Sequence, residues 1–241
     1  MILKVKNIKK SFKNAEAISD ISLSLNRGEV AAILGPSGCG KSTLLNIISG
    51  LDKADFGSID FKINNPKISY MFQEDALLNS KNVYKNTTLG LDLVHTKDEK
   101  SYKFVNDLLR EYGLDNYKKA SIKSLSGGMK KRVSLIRALA IKPDFLFLDE
   151  PFSALDYYSR IEVSEDVLKK VREEDITVII ITHDIEEAIT LADKIIVLSK
   201  SPAKVKNIYD VNIDKSLSII DKKNTKEFGE LLEHIWEDLD E

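Results

Sequence analysis

The sequence predicts an α/β fold in which a buried, largely parallel sheet carries helices and is accompanied by a smaller antiparallel sheet. Short apolar runs at 30–34, 145–148 and 177–182 are typical of strands that are buried on both faces. Residues 2–8 and 21–25 instead alternate apolar and polar side chains, which favours antiparallel strands with one exposed face. A chain of 241 residues can bury one large core around these strands.

The composition excludes several classes of protein. With 43% hydrophobic and 31% charged residues the chain is not of the disordered type, and a net charge of -2 argues against a nucleic-acid binder. Cys39 is the single cysteine, which excludes an internal disulfide and favours a small filler over a redox centre. No stretch reaches the roughly 18 apolar residues of a membrane span, and the start lacks a signal peptide's apolar core. We therefore expect a cytosolic chain.

One loop between a predicted strand and a predicted helix carries the strongest signal. It has the spacing G-x-x-x-x-G-K-[ST] of a phosphate-binding P-loop and consists of Gly35, Pro36, Ser37, Gly38, Cys39, Gly40, Lys41, Ser42 and Thr43. The glycines let successive N–H groups point into one concavity, Lys41 can reach β- and γ-phosphates, and Ser42 can bind Mg²⁺. The alternative, a glycine-rich turn with an incidental lysine, is disfavoured by the flanking strand and helix. The loop predicts a nucleotide site.

Two further segments end predicted core strands, where ligands of α/β sheets bind. Asp149 and Glu150 follow the run 145–148, so Asp149 can hold Mg²⁺ and Glu150 can orient or deprotonate the water that attacks the γ-phosphate. A solvated loop is the weaker interpretation of this pair. His183 follows the run 177–182 and precedes residues 184–187, whose capping-box spacing predicts a helix start at Asp184. His183 can hydrogen-bond the γ-phosphate, although a lone histidine is usually structural.

The N-terminal half contains further predicted strands and one notable aromatic residue. Strands at 57–61 and 68–72 are expected to continue the antiparallel sheet after a helix that ends near Gly50. Phe12 lies between strands, where it either stacks on a purine or packs in the core. The pattern alone favours neither role.

The middle of the chain changes character. Residues 74–123 lack a β period and include helical spacing at 102–113, which predicts a mostly helical insert. The segment Leu125-Ser126-Gly127-Gly128-Met129 then begins another helix, and two glycines before a helix predict a second anion site. Four basic residues follow on that helix: Lys130, Lys131, Arg132 and Arg137. A solvated cationic face is favoured over nucleic-acid binding for them.

The C-terminal part begins with a strand at 194–198, for which residues 209–213 suggest a hairpin partner. Residues 214–224 read as a polar connector. An amphipathic helix is then predicted by apolar residues at helical spacing, namely Phe228, Leu231, Leu232, Ile235, Trp236 and Leu239. Docking on its own domain is the favoured role, with a partner surface anchored by Trp236 as the alternative.

Together these motifs resemble a known family. The P-loop, Gln73, residues 125–129, Asp149-Glu150, residues 153–156 and His183 occur in the order and approximate spacing of an ATP-binding cassette, or ABC, subunit. The resemblance covers nearly all of residues 1–200, and its most specific part is the LSGG-type segment, which other P-loop ATPases and GTPases lack. Within the family, residues 73–78 and 148–156 are most similar to ATPases of nitrate/sulfonate/taurine importers.

The resemblance implies a fold and a division of the chain. It implies a RecA-like P-loop NTPase core with an antiparallel β-subdomain, formed by residues 1–73 and 143–213. Residues 74–142 would be the helical subdomain that carries the signature segment 125–129, and residues 214–241 the C-terminal helix. The whole chain would be a single ABC ATPase domain.

The resemblance also implies roles for the site residues. Phe12 would stack on adenine and residues 35–43 would wrap the phosphates of ATP, with Lys41 also assisting catalysis. The Mg²⁺ shell would be formed by Ser42, Gln73 and Asp149. Glu150 would be the catalytic carboxylate and His183 the switch. Ser126, Gly127, Gly128 and Asp156 would act at a second ATP, which is held by another copy of the chain.

The implied partners define the function that we expect. Two copies would sandwich two ATP molecules, and the helical insert would contact a membrane permease at the cytoplasmic face of the membrane. ATP hydrolysis would then drive uptake of a small anionic solute that an extracellular solute-binding protein delivers, and no nucleic acid would take part. The alternatives are an exporter subunit, a soluble ABC ATPase acting on nucleic acid or the ribosome, and a GTPase or kinase, which has no use for an LSGG segment.

Overall fold

The computed structural model describes residues 1–13, 15–95 and 98–240. The strands are β1 (Leu3–Phe12), β2 (Ala15–Leu25), β3 (Val30–Leu34), β4 (Phe56–Phe61), β5 (Ile68–Met71), β6 (Phe145–Asp149), β7 (Thr177–Ile181), β8 (Lys194–Leu198) and β9 (Val205–Asp210). The α-helices are α1 (Lys41–Ser49), α2 (Val83–Thr87), α3 (Leu89–Leu93), α4 (Glu99–Glu111), α5 (Gly127–Leu139), α6 (Tyr157–Glu173), α7 (Ile185–Leu191), α8 (Ile219–Lys223) and α9 (Lys226–Asp240). Two short 3₁₀ helices cover Asp115–Tyr117 and Ile122–Ser124.

The central sheet has six strands in the order β5-β6-β7-β3-β8-β9. Its strands are parallel except β9, which pairs antiparallel with β8. Every residue of β3, β6 and β7 is buried, as expected for parallel strands covered by other elements on both faces. The predicted α/β fold is confirmed. The hairpin partner predicted for β8 is present, but it is formed by Val205–Asp210 and not by residues 209–213.

The second sheet is antiparallel, has the order β2-β1-β4 and confirms the prediction from the alternating segments. One expectation was wrong: the strand predicted at 68–72 does not continue this sheet. It forms β5, which pairs parallel with β6 from Ile68 opposite Phe145 to Met71 opposite Leu148. Parallel pairing brings the ends of β5 and β6 to the same edge, so Gln73 follows β5 where Asp149 ends β6.

The central sheet divides the core into two clusters. Along β3, Val30, Ala32 and Leu34 belong to the cluster that includes the helices of the insert and α9. Ala31 and Ile33 belong to the other cluster, with α1 and the antiparallel sheet. Successive side chains of a strand point to opposite faces, so one apolar run fills both clusters. The sheet edge that carries the motifs lies between them.

Three motif residues begin helices. Ser126, Asp156 and Asp184 are the N-caps of α5, α6 and α7, and each side-chain oxygen accepts a hydrogen bond from the backbone N–H three residues later. The capping position predicted for Asp184 is therefore confirmed. At the other end of the P-loop helix, Gly50 has a φ of 83° and ends α1, as predicted.

The C-terminal segment differs from the prediction at one point. The connector predicted at 214–224 contains the short helix α8, because Ser218 caps it and Ile219 is buried. The predicted amphipathic helix is α9, which docks on its own domain through the buried Phe228 and Ile235. Trp236 stays 64% exposed along a groove of about 1120 Å³ between α6, α7 and α9. No helix in the described ranges is both long enough and apolar enough to cross a membrane.

Candidate nucleotide-binding site

The P-loop lies between the buried strand β3 and helix α1. Gly38 and Gly40 have φ values of 74° and 113°, a region that side chains rarely adopt. A Cβ on Gly40 would lie 3.3 Å from the carbonyl oxygen of Ala17, whereas a Cβ on Gly38 would meet no heavy atom within 4 Å. The loop is therefore packed against Ala17 at Gly40 but open at Gly38, as a loop that binds phosphate requires. Cys39 is buried, which agrees with its predicted role as a filler.

Lys41 begins α1 and is buried although it carries a charge. Its ammonium donates to the carbonyl oxygens of Gly35 and Pro36, at 2.7 and 2.9 Å. These bonds fold the side chain back across the P-loop concavity. The positive charge of Lys41 is therefore held where phosphate oxygens would lie, with two backbone carbonyls as its partners.

Asp149 lies at the end of β6, 5% exposed, with Ser42 and Tyr70 as its polar neighbours. Burial raises the pKa of Asp149, and the neighbouring Glu150 raises it further, while Ser42 and the charge of Lys41 oppose the shift. Burial also raises the pKa of Tyr70, with the Asp149 carboxyl as a second cause. The structure thus places Ser42, near the end of the P-loop, beside Asp149, the first acid of the Asp149-Glu150 pair.

Glu150 turns away from the strand with a φ of 47°, and its N–H donates to the carbonyl oxygen of Ile181 at 3.0 Å. This strained turn keeps the Glu150 carboxylate at the sheet edge. Gln73 Nε2 donates to Glu150 Oε2 at 3.2 Å, and His183 Nδ1 lies 3.4 Å from Glu150 Oε1. Three motif residues from separate strand ends therefore meet around one carboxylate, while the His183 side chain remains 68% exposed.

The residues at this edge have the chemistry that Mg²⁺ requires. Ser42, Asp149 and Gln73 supply a hydroxyl, a carboxylate and a carboxamide oxygen, all of them hard oxygen donors. Ser42 and Asp149 are neighbours, and Gln73 uses its nitrogen toward Glu150, which leaves its oxygen for a metal. Mg²⁺ keeps several water and phosphate ligands, so a site with few protein donors fits it. Among the described residues no cluster of three His, Cys, Asp or Glu side chains forms a separate metal site.

Phe12 lies at the end of β1 with 49% of its surface exposed, so it is not a core aromatic. The ammonium of Lys10 lies 5.2 Å from the centre of its ring. An exposed ring offers a face on which a base could stack. The position is compatible with the adenine role that the resemblance implies.

The signature segment and Asp156 form a separate, exposed surface. Ser126, Gly127 and Asp156 are exposed, and their hydrogen bonds are local helix caps. A Cβ on Gly127 would meet no heavy atom within 4 Å, whereas one on Gly128 would lie 3.1 Å from Leu155 Cδ2. The hydrogen bond from Ser159 lowers the pKa of Asp156. The structure therefore does not join these residues to the P-loop of the same chain.

The solvated cationic face predicted on α5 was wrong for three of its four residues. Arg132 donates to the carbonyl oxygen of Tyr112 at 3.3 Å, and its side chain is only 22% exposed. Lys131 is buried and donates to the carbonyl oxygen of Gln73, and Arg137 donates to the carbonyl oxygens of Asp75 and Ala76. Burial lowers the pKa of Lys131, and the nearby carboxylates of Asp75, Asp149 and Glu150 oppose that shift. A basic residue on an amphipathic helix is usually solvated, and the sequence contains no signal for these tertiary contacts.

A second group of charges lies behind His183 and was not predicted. Arg160 Nη1 lies 3.1 Å from Asp184 Oδ2, and Arg160 Nε is buried without a hydrogen-bond partner. Burial raises the pKa of Glu187 to about 7, the Asp184 and Glu150 carboxyls raise it further, and the Thr182 hydrogen bond and Arg160 oppose the shift. Capping spacing predicted the helix start at Asp184 but not the burial of the next turn.

Comparison with known proteins identifies the family. A profile described as "ABC transporter" matches residues 18–153. The chain is 38% identical over 231 residues to the uncharacterized ABC transporter ATP-binding protein YtlC of Bacillus subtilis, covering 92% of this chain and 88% of that protein. It is also 38% identical over 209 residues to the taurine import ATP-binding protein TauB of Escherichia coli, covering 85% of this chain and 82% of that protein.

A solved structure agrees with these relatives. The structure described as the dimeric, post-hydrolysis state of the ATP-binding cassette MJ0796, bound to ADP and Pi, matches with a TM-score of 0.78 and 28% identity. The match covers 88% of this chain and 99% of that one. Both the order of the motifs and the fold around them are thus those of a P-loop ATPase that binds ATP. The chain belongs to the ABC transporter family, as one of its ATP-hydrolysing cassettes.

Proposed function

We propose that this ABC ATPase drives uptake of a small anionic solute of the nitrate, sulfonate or taurine type through a membrane permease. The convergence of Gln73 and His183 on the Glu150 carboxylate, next to the P-loop, is the observation that carries the ATPase assignment. The name of the taurine import relative supports import and a sulfonate-type solute. An extracellular solute-binding protein would deliver the solute, and no nucleic acid would take part.

The roles of the residues follow from their positions. Lys41 exchanges its two backbone carbonyl partners for phosphate oxygens, and the open P-loop amides around Gly38 bind the remaining oxygens. Bound Mg²⁺ would neutralise phosphate charge, held by Ser42, Gln73 and Asp149. Glu150 orients the attacking water and accepts its proton, and His183 donates a hydrogen bond to the γ-phosphate.

The exposed signature surface supports a homodimer. Ser126, Gly127, Gly128 and Asp156 carry cap and glycine chemistry suited to an anion, yet they contact no P-loop group of their own chain. We expect them to cover the nucleotide that a second copy holds, so that two copies enclose two ATP molecules. The matched MJ0796 cassette is described as dimeric, which supports this arrangement.

The dimer would act at the cytoplasmic face of the membrane, where the helical insert contacts the permease. The test is co-expression of tagged chain with its permease, followed by purification and reconstitution into vesicles. We expect the permease to co-purify and ATP-dependent uptake of taurine or another small sulfonate to occur, and the Glu150→Gln variant to abolish uptake. Co-purification with nucleic acid or ribosomes in a salt-sensitive manner, without a membrane protein, would contradict the transport assignment.

A further inference from the structure

We propose that Lys131 is a positioning residue that ties the signature helix α5 to Gln73 and so couples the two nucleotide sites of the dimer. The inference rests on the proposed function, because only in a dimer does the signature segment contact a nucleotide other than the one that Gln73 serves. It concerns how ATP binding at one nucleotide site affects the other site, which the motifs themselves do not specify.

Helix α5 holds the segment after β5 by its backbone. The Lys131 ammonium donates to the carbonyl oxygen of Gln73 and lies 3.9 Å from Asp75 Oδ1. One turn later, Ser134 Oγ donates to the carbonyl oxygen of Asp75 at 3.0 Å. Arg137 donates to the same oxygen at 2.9 Å. Side chains three residues apart lie on one face of a helix, so these three form a continuous row.

The segment after β5 that α5 contacts, residues 73–76, has a defined backbone conformation. Arg137 also donates to the carbonyl oxygen of Ala76 at 2.8 Å, and Ala76 has a φ of 47°. Asp75 Oδ1 is buried without a hydrogen bond, and the Lys131 ammonium, 3.9 Å away, is the positive charge that offsets its negative charge. A residue in the left-handed region and a buried carboxyl are costly, and they persist because α5 determines their surroundings.

The burial of Lys131 distinguishes it from an ordinary surface lysine. Its side chain is 5% exposed. A buried ammonium is tolerated only where acceptors and opposite charges surround it, and here these are the Gln73 carbonyl oxygen and the carboxylates of Asp75, Asp149 and Glu150. The charge of the preceding Lys130 also acts on Asp75, but in the described structure its side chain has no hydrogen bond or ion pair to the segment after β5, so it is a matched control for the contact itself.

The contacts form a continuous connection between two functional surfaces. Ser126 caps α5 five residues before Lys131, which is roughly 7.5 Å along a helix. Lys131 holds the backbone of Gln73, whose side chain donates to the Glu150 carboxylate. A shift of α5 when the signature binds the partner copy's ATP therefore moves Gln73 relative to Glu150 at this chain's own ATP. Binding of ATP at one site therefore changes the position of Gln73 at the other site.

The test measures ATPase rate against ATP concentration for Lys131→Met and Lys130→Met. We expect Lys131→Met to lower kcat about 10-fold and to reduce the Hill coefficient toward one, with KM within about twofold, because the P-loop that binds ATP is untouched. Lys130→Met should match the wild type, and Lys131→Arg should recover most of the rate. A kcat of Lys131→Met within twofold of the wild type, or an equal loss in Lys130→Met, would overturn the proposal.

A double-mutant cycle separates this role from a structural one. If Lys131 acts through Gln73, adding Lys131→Met to Gln73→Ala should lower kcat no further, whereas independent effects would multiply. Multiplying effects would reject the coupling. If Lys131→Met does not fold, Ser134→Ala tests the same row of contacts and should lower the Hill coefficient in the same direction. ATP-dependent dimerisation of Glu150→Gln reports separately on the proposed function, so a failure of the coupling can be distinguished from a failure of the proposed function.

Discussion

The two surfaces expected to enclose one nucleotide are built differently. On the P-loop surface Lys41 and Asp149 are buried and hydrogen-bonded, and Gln73 and His183 already converge on Glu150. On the signature surface Ser126, Gly127 and Asp156 are exposed, and their bonds only begin helices.

The difference indicates where the chain is self-sufficient. Burial and strain on the P-loop surface pre-organise charges that are costly to leave unpaired, and the folded monomer supplies their partners. The signature surface leaves its helix-start N–H groups toward solvent, where a second molecule must supply the anion. Changes to the first surface should therefore alter chemistry or monomer stability, and changes to the second should leave the monomer stable and act through assembly.

The largest expected effect is at Glu150. Glu150→Gln should lower kcat by about 10²- to 10³-fold, because the amide cannot accept a proton from water. ATP binding should persist, so size-exclusion chromatography with Mg²⁺ and ATP should show a trapped dimer. Hydrolysis by Glu150→Gln at the wild-type rate would show that the role assigned to Glu150 is wrong.

The second prediction addresses the signature surface in the Glu150→Gln background. Ser126→Arg should abolish the ATP-dependent dimer, because a bulky side chain occupies the place of the second nucleotide. The monomer should still bind a fluorescent ATP analogue with a Kd within about twofold, since the P-loop surface is complete. Asn212→Arg adds the same charge at an exposed position away from both surfaces and should dimerise normally. A dimer that survives Ser126→Arg would contradict the arrangement.

The third prediction compares one glycine from each surface in urea unfolding without nucleotide. Gly40→Ala should lower the free energy of unfolding by about 1–3 kcal/mol, because φ is 113° and the new Cβ meets the Ala17 carbonyl oxygen at 3.3 Å. Gly127→Ala should lose less than about 0.5 kcal/mol, because its Cβ meets open space. Equal losses of unfolding free energy in the two variants would contradict the difference between a packed P-loop and an exposed signature surface.

The smallest expected effect concerns pH and the group behind His183. The pKa of Glu187 is raised to about 7 in the folded state from its ordinary value of 4.5, so the folded state binds this proton more tightly than the unfolded state does. Its contribution to stability is thus fully present below about pH 4.5 and lost as pH rises through 7. Glu187→Gln should be more stable than the wild type by about 1–2 kcal/mol at pH 8, after discounting for partial exposure, and equal to it near pH 4. Thermal unfolding at both pH values measures this, and a difference independent of pH would contradict it.

Much of the site could be predicted because its residues follow buried strands. The positions of Lys41, Asp149, Glu150 and His183 at strand ends follow from apolar runs and glycine spacing, which are local properties. The placement of β5 could not be predicted, because a short strand with mixed polarity fits either sheet. The contacts of Lys131 and Arg137 could not be predicted either, since a basic residue on an amphipathic helix reads as solvated.

The sequence by itself determined the α/β class, the P-loop, the order of the motifs and the helix starts. These depend on periodicity, backbone freedom and capping, which act within a few residues. Only the tertiary structure decided that β5 lies beside β6, that Gln73 and His183 meet at Glu150, and that α5 holds the backbone of residues 73–76. Those outcomes depend on which segments, distant in sequence, pack against one another and exclude water. No local sequence pattern specifies that packing.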